Sequence, residues 1–225
     1  MKRFNLLYSS LFALAAFPAV AQINQTPIHS NGNQIFTTAE EKLKTEGSMY
    51  YQENYMPAKI EGTDEIVLLR YNAYLDQFEI NNQQEQTQGV IAKEADKDIT
   101  FSGGDTFAYV QYKDDKGQQV NGYLEVINNG PKVKIFKSQK IYLQPGKPSR
   151  NSYQSAKAPV LKQADAELFI QLPNSTQAVP FDGKKDLAKV VGKEKEVLDY
   201  IKQNKLDVEK DTDLQKLATY VETII

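Results

Sequence analysis

Charged residues interrupt the most apolar segments of this sequence. They are Arg70, Asp76, Glu79 and Glu125. A charge on a buried strand destabilises a protein unless it is paired, so a stabilising arginine–carboxylate network is the favoured interpretation. Two of these carboxylates could instead flank a glycosidic bond, one as the acid and the other as the base or nucleophile. The pair for that chemistry is Asp76 with Glu79 or Glu125, and this alternative depends on the distance between them.

Tyrosine is abundant and could supply a binding surface. The chain has 13 tyrosines and no tryptophan. Packing between neighbouring strands is the default role of tyrosines in a sheet, and an exposed subset could form a platform for a glycan or a peptide. Three tyrosines accompany the charged residues. The candidate network, for binding or for structure, comprises Arg70, Tyr71, Tyr74, Asp76, Glu79, Tyr123 and Glu125.

Composition removes several kinds of catalytic chemistry. The absence of cysteine excludes disulfides, zinc–thiolate sites, iron–sulfur clusters and cysteine nucleophiles. The single histidine, His29, lies in a polar segment without an acidic neighbour, which disfavours a Ser/His/Asp triad. One histidine also excludes a two-histidine metal site within one chain. We therefore predict no catalytic residue and no cofactor.

Metal binding through oxygen ligands has little support in the sequence. The tightest carboxylate clusters are Asp96-Lys97-Asp98, Asp114-Asp115 and Asp211-Thr212-Asp213. None of them is followed by the glycine and glutamate that complete a calcium loop. Turn, capping and surface roles are the favoured interpretation, with structural calcium as the alternative, and we predict no metal site.

The charge balance disfavours nucleic acid as a partner. The chain has 27 lysines and arginines against 29 aspartates and glutamates, so its net charge is −2. Binding to a phosphate backbone relies on a strongly basic surface. A local basic bias is formed by Lys140, Lys147, Arg150, Lys157 and Lys162. A solvated loop that prevents edge pairing is the favoured interpretation of this bias, with an anionic partner surface as the alternative.

The first 21 residues have the pattern of a secretory signal peptide. A basic start precedes an apolar run from Leu6 to Val20, and Ala19-Val20-Ala21 fits the cleavage rule. The run is shorter than the ~20 apolar residues that span a bilayer. We therefore predict an exported protein, periplasmic or secreted, that begins at Gln22 after cleavage and whose mature chain has no transmembrane segment.

The rest of the chain must supply the elements that position the candidate residues. We expect a flexible leader at 22–47, an antiparallel β domain at 48–181 and a C-terminal helical cap at 182–225. Nine β-branched and aromatic runs predict strands. They are Met49–Met56, Glu65–Tyr74, Gln77–Asn81, Gly89–Lys93, Thr106–Lys113, Gly122–Asn128, Lys132–Lys137, Ile141–Gln144 and Glu167–Leu172. The predicted fold is mainly β (α+β), with an antiparallel sheet, sandwich or barrel on which the helical segment packs.

Loops and helix ends have their own sequence signals. Asp114–Gly117 and Asn128–Pro131 carry the glycine and asparagine of tight hairpins. The proline-rich stretch Pro145–Gln163 predicts a long loop or an irregular edge crossing. Apolar residues recur at i, i+3 and i+4 in the helical cap. There, Asp182 is expected to cap the first helix, Gly192 to interrupt the run and Asn204 to end it. Thr212 is expected to start the last helix as a capping box.

Four motifs carry a resemblance to a known group of proteins. They are GSMY at Gly47–Tyr50, LRYNAYLDQFE at Leu69–Glu79, GYLEV at Gly122–Val126 and YIKQNKL at Tyr200–Leu206. Over most of residues 47–225 the chain resembles exported proteins of unknown function from Bacteroidota. The resemblance implies a secreted or envelope setting and transfers no catalytic residue.

These observations favour an exported, non-enzymatic binding or scaffold protein of the bacterial cell envelope. Its expected partner is an unidentified envelope protein, glycan or lipid. A periplasmic carrier is the first alternative, in which a curved sheet and amphipathic helices enclose a cavity for an apolar ligand. A carboxylate-dependent glycan hydrolase is the second alternative.

Overall fold

A computed structural model of the chain describes residues 44–82, 87–95, 97–114, 116–149 and 155–225. The predicted signal peptide and its cleavage site lie outside the described residues, as do most of the leader and His29. Single members of three predicted features also lie outside them: Asp96, Asp115 and Arg150.

The described residues form twelve strands followed by three helices. The strands are β1 (Met56–Ile60), β2 (Ile66–Asn72), β3 (Gln77–Asn82), β4 (Thr87–Val90), β5 (Ile99–Phe101), β6 (Thr106–Lys113), β7 (Gln119–Asn129), β8 (Lys134–Lys137), β9 (Ile141–Gln144), β10 (Val160–Gln163), β11 (Leu168–Gln171) and β12 (Val179–Phe181). The helices are α1 (Gly183–Val191), α2 (Glu194–Asn204) and α3 (Asp211–Ile224).

Ten of the strands form one antiparallel sheet. Their order is β12-β11-β8-β7-β6-β5-β1-β2-β3-β4, and β9 and β10 form a separate antiparallel pair. The sheet is open rather than closed into a barrel. The prediction of a mainly antiparallel β fold with a C-terminal helical segment packed on the sheet is therefore confirmed.

Side-chain alternation divides the candidate residues between the two faces of the sheet. Leu69, Tyr71 and Phe78 lie on one face, which we name the aromatic face, and they are almost completely buried. Arg70 and Glu79 are opposite each other in the ladder of β2 and β3, and they lie on the other face. One hairpin thus supplies both the aromatic core and the charged network.

The three helices bury their apolar stripes against the β7, β8, β11 and β12 part of the sheet. Leu187, Val197, Leu214 and Leu217 are at most 1% exposed in this cluster, where they pack with Ile135 and other strand residues. The amphipathic pattern therefore predicts the packing correctly.

The predicted helix boundaries are correct in part. Asp182 is the N-cap of α1, although its side chain makes no capping hydrogen bond, and Gly192 ends that helix in the left-handed conformation. At the end of α2 the left-handed residue is Lys205 and not Asn204, which is the last helical residue. Thr212 does not begin α3, because Lys210 is the N-cap and Asp211 the first residue.

The predicted strand Met49–Met56 is wrong. Tyr50 pairs with Asn72, and Met56 pairs with Leu69. The chain from Tyr50 to Met56 is therefore longer than the stretch of β2 from Leu69 to Asn72 that it lies beside. The surplus residues bend out of the ladder, and the regular strand begins at Met56. This bend brings the rings of Tyr50 and Tyr55 over β2.

The prediction of a long loop or an irregular edge crossing over Pro145–Gln163 is wrong at its C-terminal end, which is a regular strand. Residues Val160–Gln163 form β10, which pairs with β9, and Lys147 pairs with Lys157 farther out. On either side of residues 150–154, which lie outside the described residues, the segment is a two-stranded arm whose backbone groups bond across it.

Gly47 fixes the described N-terminal segment against this arm. Its φ is +85°, and an added Cβ would clash with the carbonyl oxygen of Leu161. Replacing Gly47 with alanine is expected to lower the free energy of unfolding by about 2 kcal/mol, since it adds both a clash and a left-handed strain. Chemical unfolding measures the loss, and amide exchange at Glu46 and Leu161 should accelerate, because their backbones bond each other and Pro159.

Gly117 is the matched control for this substitution. Its φ is +73° in the β6–β7 turn, with no atom within 4 Å of an added Cβ. Alanine there carries the left-handed cost of roughly 1 kcal/mol without a clash. Equal losses for the two variants would contradict the packing role of Gly47.

Candidate functional site

The β2–β3 hairpin positions most of the candidate residues. Its turn spans Ala73–Asp76, where the Asn72 side-chain oxygen accepts the Leu75 N–H at 3.0 Å and Asp76 has a φ of +52°. Asparagine and aspartate tolerate these turn conformations better than other residues with a Cβ. The turn therefore reverses the chain and places the Asp76 carboxylate away from Glu79, in a different network.

Arg70 and Glu79 are the centre of the first network, which we name the Arg70 network. The guanidinium donates to Glu79 Oε2 through Nε at 2.9 Å and through Nη2 at 2.7 Å. The rings of Tyr50 and Tyr55 both lie against the guanidinium, with centroids 3.7 and 4.4 Å from Cζ. Arginine suits this position because a planar cation can stack on aromatic rings while its edge binds a carboxylate.

Further donors saturate the Glu79 carboxylate. Asn72, which is completely buried, donates its side-chain N–H to Oε1 at 3.1 Å, and the Tyr50 hydroxyl lies 3.2 Å from Oε2. Burial alone raises the pKa of Glu79, but the hydrogen bonds from Asn72 and Arg70 and the charge of Arg70 lower it below its ordinary value. Glu79 is therefore a fixed anion near neutral pH and a poor proton donor.

Asp76 is the centre of the second network, which we name the Asp76 network. Its Oδ1 accepts the Tyr71 hydroxyl at 2.8 Å and the backbone N–H of Tyr123 at 3.0 Å. Its Oδ2 binds Lys93 Nζ at 2.9 Å. Gly122 gives the carboxylate room, because an added Cβ there would lie 3.1 Å from Oδ2. This network connects the β2–β3 turn to the centre of β7.

The Asp76 network lies at the edge of an aromatic cluster. Tyr71 stacks on Phe78 with centroids 4.8 Å apart, and Phe78 meets Tyr123 edge to face at 4.8 Å. Burial, with a smaller contribution from Asp76, raises the pKa of Tyr123 to about 12 and raises that of Tyr71 further. Both phenols therefore remain neutral, and Tyr71 acts as a hydrogen-bond donor to Asp76.

Tyr74 and Glu125 lie outside these two networks. Tyr74 is in the β2–β3 turn and 42% exposed. Glu125 lies on β7, where its Oε2 accepts the side-chain N–H of Gln139 at 2.6 Å, and Gln139 accepts in turn from Gln163 at 3.1 Å. The structure thus divides the seven candidate residues among two networks, a separate amide chain and an exposed turn.

Glu125 is the carboxylate for which neutralisation is expected to stabilise the fold. Burial raises its pKa above the ordinary 4.5, with Asp105 and Asp211 adding to the effect and Gln139 and Lys137 opposing it. A folded pKa above the unfolded one means that wild-type stability falls as pH rises through this range. We expect Glu125→Gln to be more stable than wild type at pH 7, by a margin that shrinks as pH falls through the raised folded pKa of Glu125 and is gone below its ordinary 4.5. Urea unfolding at pH 4 and pH 7 measures this, and a margin independent of pH would contradict it.

Several residues of these networks were not among the sequence candidates. They are Tyr50, Tyr55, Asn72, Lys93 and Gln139. The sequence pattern could have indicated Asn72, because it lies two residues from Arg70 and therefore on the same face of the strand. Tyr50 and Tyr55 depend on a bend outside the ladder, which has no regular period. Gln139 contacts Glu125 although the two residues are 14 positions apart in the chain.

A cleft of about 840 Å³ lies on the face of the sheet that carries Arg70, beyond the end of β1. Thr100 and Thr106 pair across β5 and β6 at its wall, with hydroxyl oxygens 3.1 Å apart, and we name it the Thr100 cleft. Asp98 contributes a carboxylate whose pKa is raised by burial and by nearby Glu61. Asn129 adds a side-chain amide to the lining of the cleft, and Val126 adds an apolar side chain.

Comparisons with known proteins give no relative for this chain: no family model matches it, and neither curated proteins nor solved structures provide a match. In the described part of the chain, no helix has the length and apolar character needed to cross a bilayer.

Proposed function

We propose that this chain is an exported, non-enzymatic binding protein of the bacterial cell envelope. Its export is inferred from the pattern of residues 1–21, and the resemblance to exported Bacteroidota proteins supports the same setting. The proposed ligand is a short glycan, held in the Thr100 cleft.

The pairing of Glu79 and Asp76, two of the three carboxylates of the glycan hydrolase alternative, is the observation that carries the non-enzymatic part of the proposal. Glu79 accepts hydrogen bonds from Arg70, Asn72 and Tyr50, while Asp76 accepts from Tyr71, Tyr123 and Lys93. A general acid or base must exchange a proton with its substrate through a free lone pair or proton. Each oxygen of these two carboxylates accepts at least one hydrogen bond from the protein, which favours a bracing role for them over the glycan hydrolase alternative.

The Thr100 cleft supports the binding part of the proposal. Its volume lies within the range of small-molecule sites, which is about 300–1,000 Å³. Sugars present many hydroxyls and a partly apolar ring face. The threonine hydroxyls, the Asn129 amide and the acidic oxygens can bond such hydroxyls, and Val126 offers an apolar contact.

The test is binding of the exported protein to a glycan panel, with thermal unfolding as the readout. A ligand at a hundred times its dissociation constant stabilises a fold by roughly 2.7 kcal/mol, which raises the melting temperature by several degrees. The double variant Thr100→Val/Thr106→Val is expected to weaken glycan binding at least about tenfold, since it removes two hydroxyls and nearly conserves volume. Thr219→Val on α3 is the control, because that exposed hydroxyl bonds Gln215 within the helix.

Each part of the proposal can fail separately. Release of reducing sugar from any panel member, abolished in Asp76→Asn, Glu79→Gln or Glu125→Gln, would replace a binding protein with a hydrolase. A panel without any shift would remove the glycan assignment. Retention of the full chain in the cytoplasm, with an intact N-terminus at Met1, would contradict export.

A further inference from the structure

The β9–β10 arm brings like charges together at its outer end. Lys147 and Lys157 pair directly across it, and each backbone N–H donates to the other's carbonyl, at 3.0 and 2.8 Å. Like charges directly opposite each other in a strand pair are destabilising. Among the described residues, neither lysine forms an ion pair with a carboxylate, and the same is true of Lys162 on β10.

These three lysines line one cleft of about 410 Å³. Glu46 is the acidic residue that lines it with them, and Gln144 adds an amide. Among the described residues that line the cleft, three ammonium groups and one carboxylate give a net charge of +2, although the whole chain has a net charge of −2. The cleft is therefore locally positive on a chain whose net charge is negative.

The backbone holds the cleft in a defined shape. An added Cβ at Gly146 would lie 2.5 Å from the Lys157 carbonyl oxygen and 2.9 Å from the Pro159 nitrogen, so the two sides of the arm approach closely there. Close approach fixes the spacing of Lys147 and Lys157 through their paired backbones. Because like charges opposite each other repel, an anion between the two ammonium groups would relieve this repulsion.

We propose that this cleft binds a phosphate monoester, either on a free metabolite or on a lipid headgroup. A phosphate monoester carries a charge of roughly −1.5 to −2 near pH 7, which matches the net charge of the cleft. Its oxygens accept hydrogen bonds from several ammonium groups at once. Tyr142 and Leu143 are 48% and 40% exposed on β9, so a lipid-borne phosphate would also find apolar side chains on the same arm. This site is separate from the Thr100 cleft and does not rest on the proposed function.

The experiment measures binding of the full exported chain to four probes. Inorganic phosphate and glycerol 3-phosphate test the free source by calorimetry. Vesicles of phosphatidylcholine with and without phosphatidic acid test the lipid source by co-sedimentation. We expect binding to at least one phosphate probe, weakened by salt. Phosphate or glycerol 3-phosphate binding identifies a free ester, whereas binding confined to phosphatidic acid vesicles identifies a headgroup.

Charge-neutral variants locate the site. Lys147→Gln/Lys157→Gln is expected to lower affinity at least about tenfold while its melting temperature stays equal or rises, because the repulsion is removed. Lys195→Gln on α2 makes half the charge change on an exposed helix position, and it is expected to change affinity less than twofold. Absence of binding to all four probes would overturn the proposal, and so would equal losses in both variants. Sulfate binding as tight as phosphate would overturn the phosphate assignment.

Discussion

Replacing Asp76 with alanine is expected to lower the free energy of unfolding by roughly 4 kcal/mol at pH 7. The carboxylate is the acceptor for the Tyr71 hydroxyl, on a side chain 2% exposed, and for the Tyr123 N–H. Leaving a buried donor without a partner costs about 1–3 kcal/mol for each group. The φ of +52° adds roughly 1–2 kcal/mol for alanine, which lacks the local hydrogen bonds that help aspartate adopt it. Urea unfolding measures the sum.

Three further variants separate these contributions. Asp76→Asn keeps an acceptor oxygen and tolerates the turn conformation, so it should lose about 1 kcal/mol, mainly with the half-exposed Lys93 pair. Asp76→Gly removes the strain and should be about 1 kcal/mol more stable than the alanine variant. Tyr71→Phe removes the donor and leaves Asp76 with its other partners, so its cost should be near 1 kcal/mol. An alanine variant within 1 kcal/mol of wild type would contradict the bracing role of Asp76.

The regular strands could be predicted from sequence because they alternate. Residues 66–72 and 77–82 match the predicted runs within two residues at each end, and β6 matches the predicted Thr106–Lys113. The Asp114–Gly117 turn joins β6 and β7 as predicted, with the Asp114 carboxylate accepting the backbone N–H groups of Lys116 and Gln118. Long periodic runs and glycine-containing turns carry local information, which one sequence is sufficient to show.

Short and irregular elements were not predicted because their pairing is decided by distant residues. β5 and β12 are three residues long, too short for a period to appear. β10 follows a proline-rich stretch and forms because β9 offers it a partner. The bend at 51–54 reflects the register of Met56 on β2, and no local residue signals that choice.

The candidate site shows the same division. Strand alternation places Arg70 opposite Glu79, as a hairpin with its turn at Ala73–Asp76 requires. The sequence does not show that Asp76 and Glu79 belong to different networks. Asp76 adopts a left-handed conformation in the turn, which directs its carboxylate to β7. The sequence indicates a basic bias that includes Lys147, Lys157 and Lys162, but their place on one cleft depends on the pairing of β9 with β10, which has no local signal.

Removing Glu79 alone should have the second largest effect. Glu79→Leu is expected to cost roughly 3 kcal/mol, because it leaves the Arg70 charge and the buried Asn72 amide without their acceptor. The low end of the range for buried pairs applies, since Arg70 and Glu79 side chains retain 20% and 17% exposure. Arg70→Met should cost about 2 kcal/mol, as Asn72 and Tyr50 still donate to the carboxylate.

The double variant Arg70→Met/Glu79→Leu distinguishes a structural pair from two independent residues. Its loss should be smaller than the sum of the single losses by about 1–2 kcal/mol, since no unpaired charge remains.

The pKa of Glu79 lies below its ordinary 4.5 when folded, so the stability that Glu79 contributes is present above that pH and is lost as pH falls through the folded value. The double variant should therefore lack this acid sensitivity. Arg70→Lys, which keeps the charge but not the planar stacking between Tyr50 and Tyr55, should recover only part of the stability. Strict additivity, with acid sensitivity unchanged, would show that the two residues act separately and that the sheet is braced by other contacts.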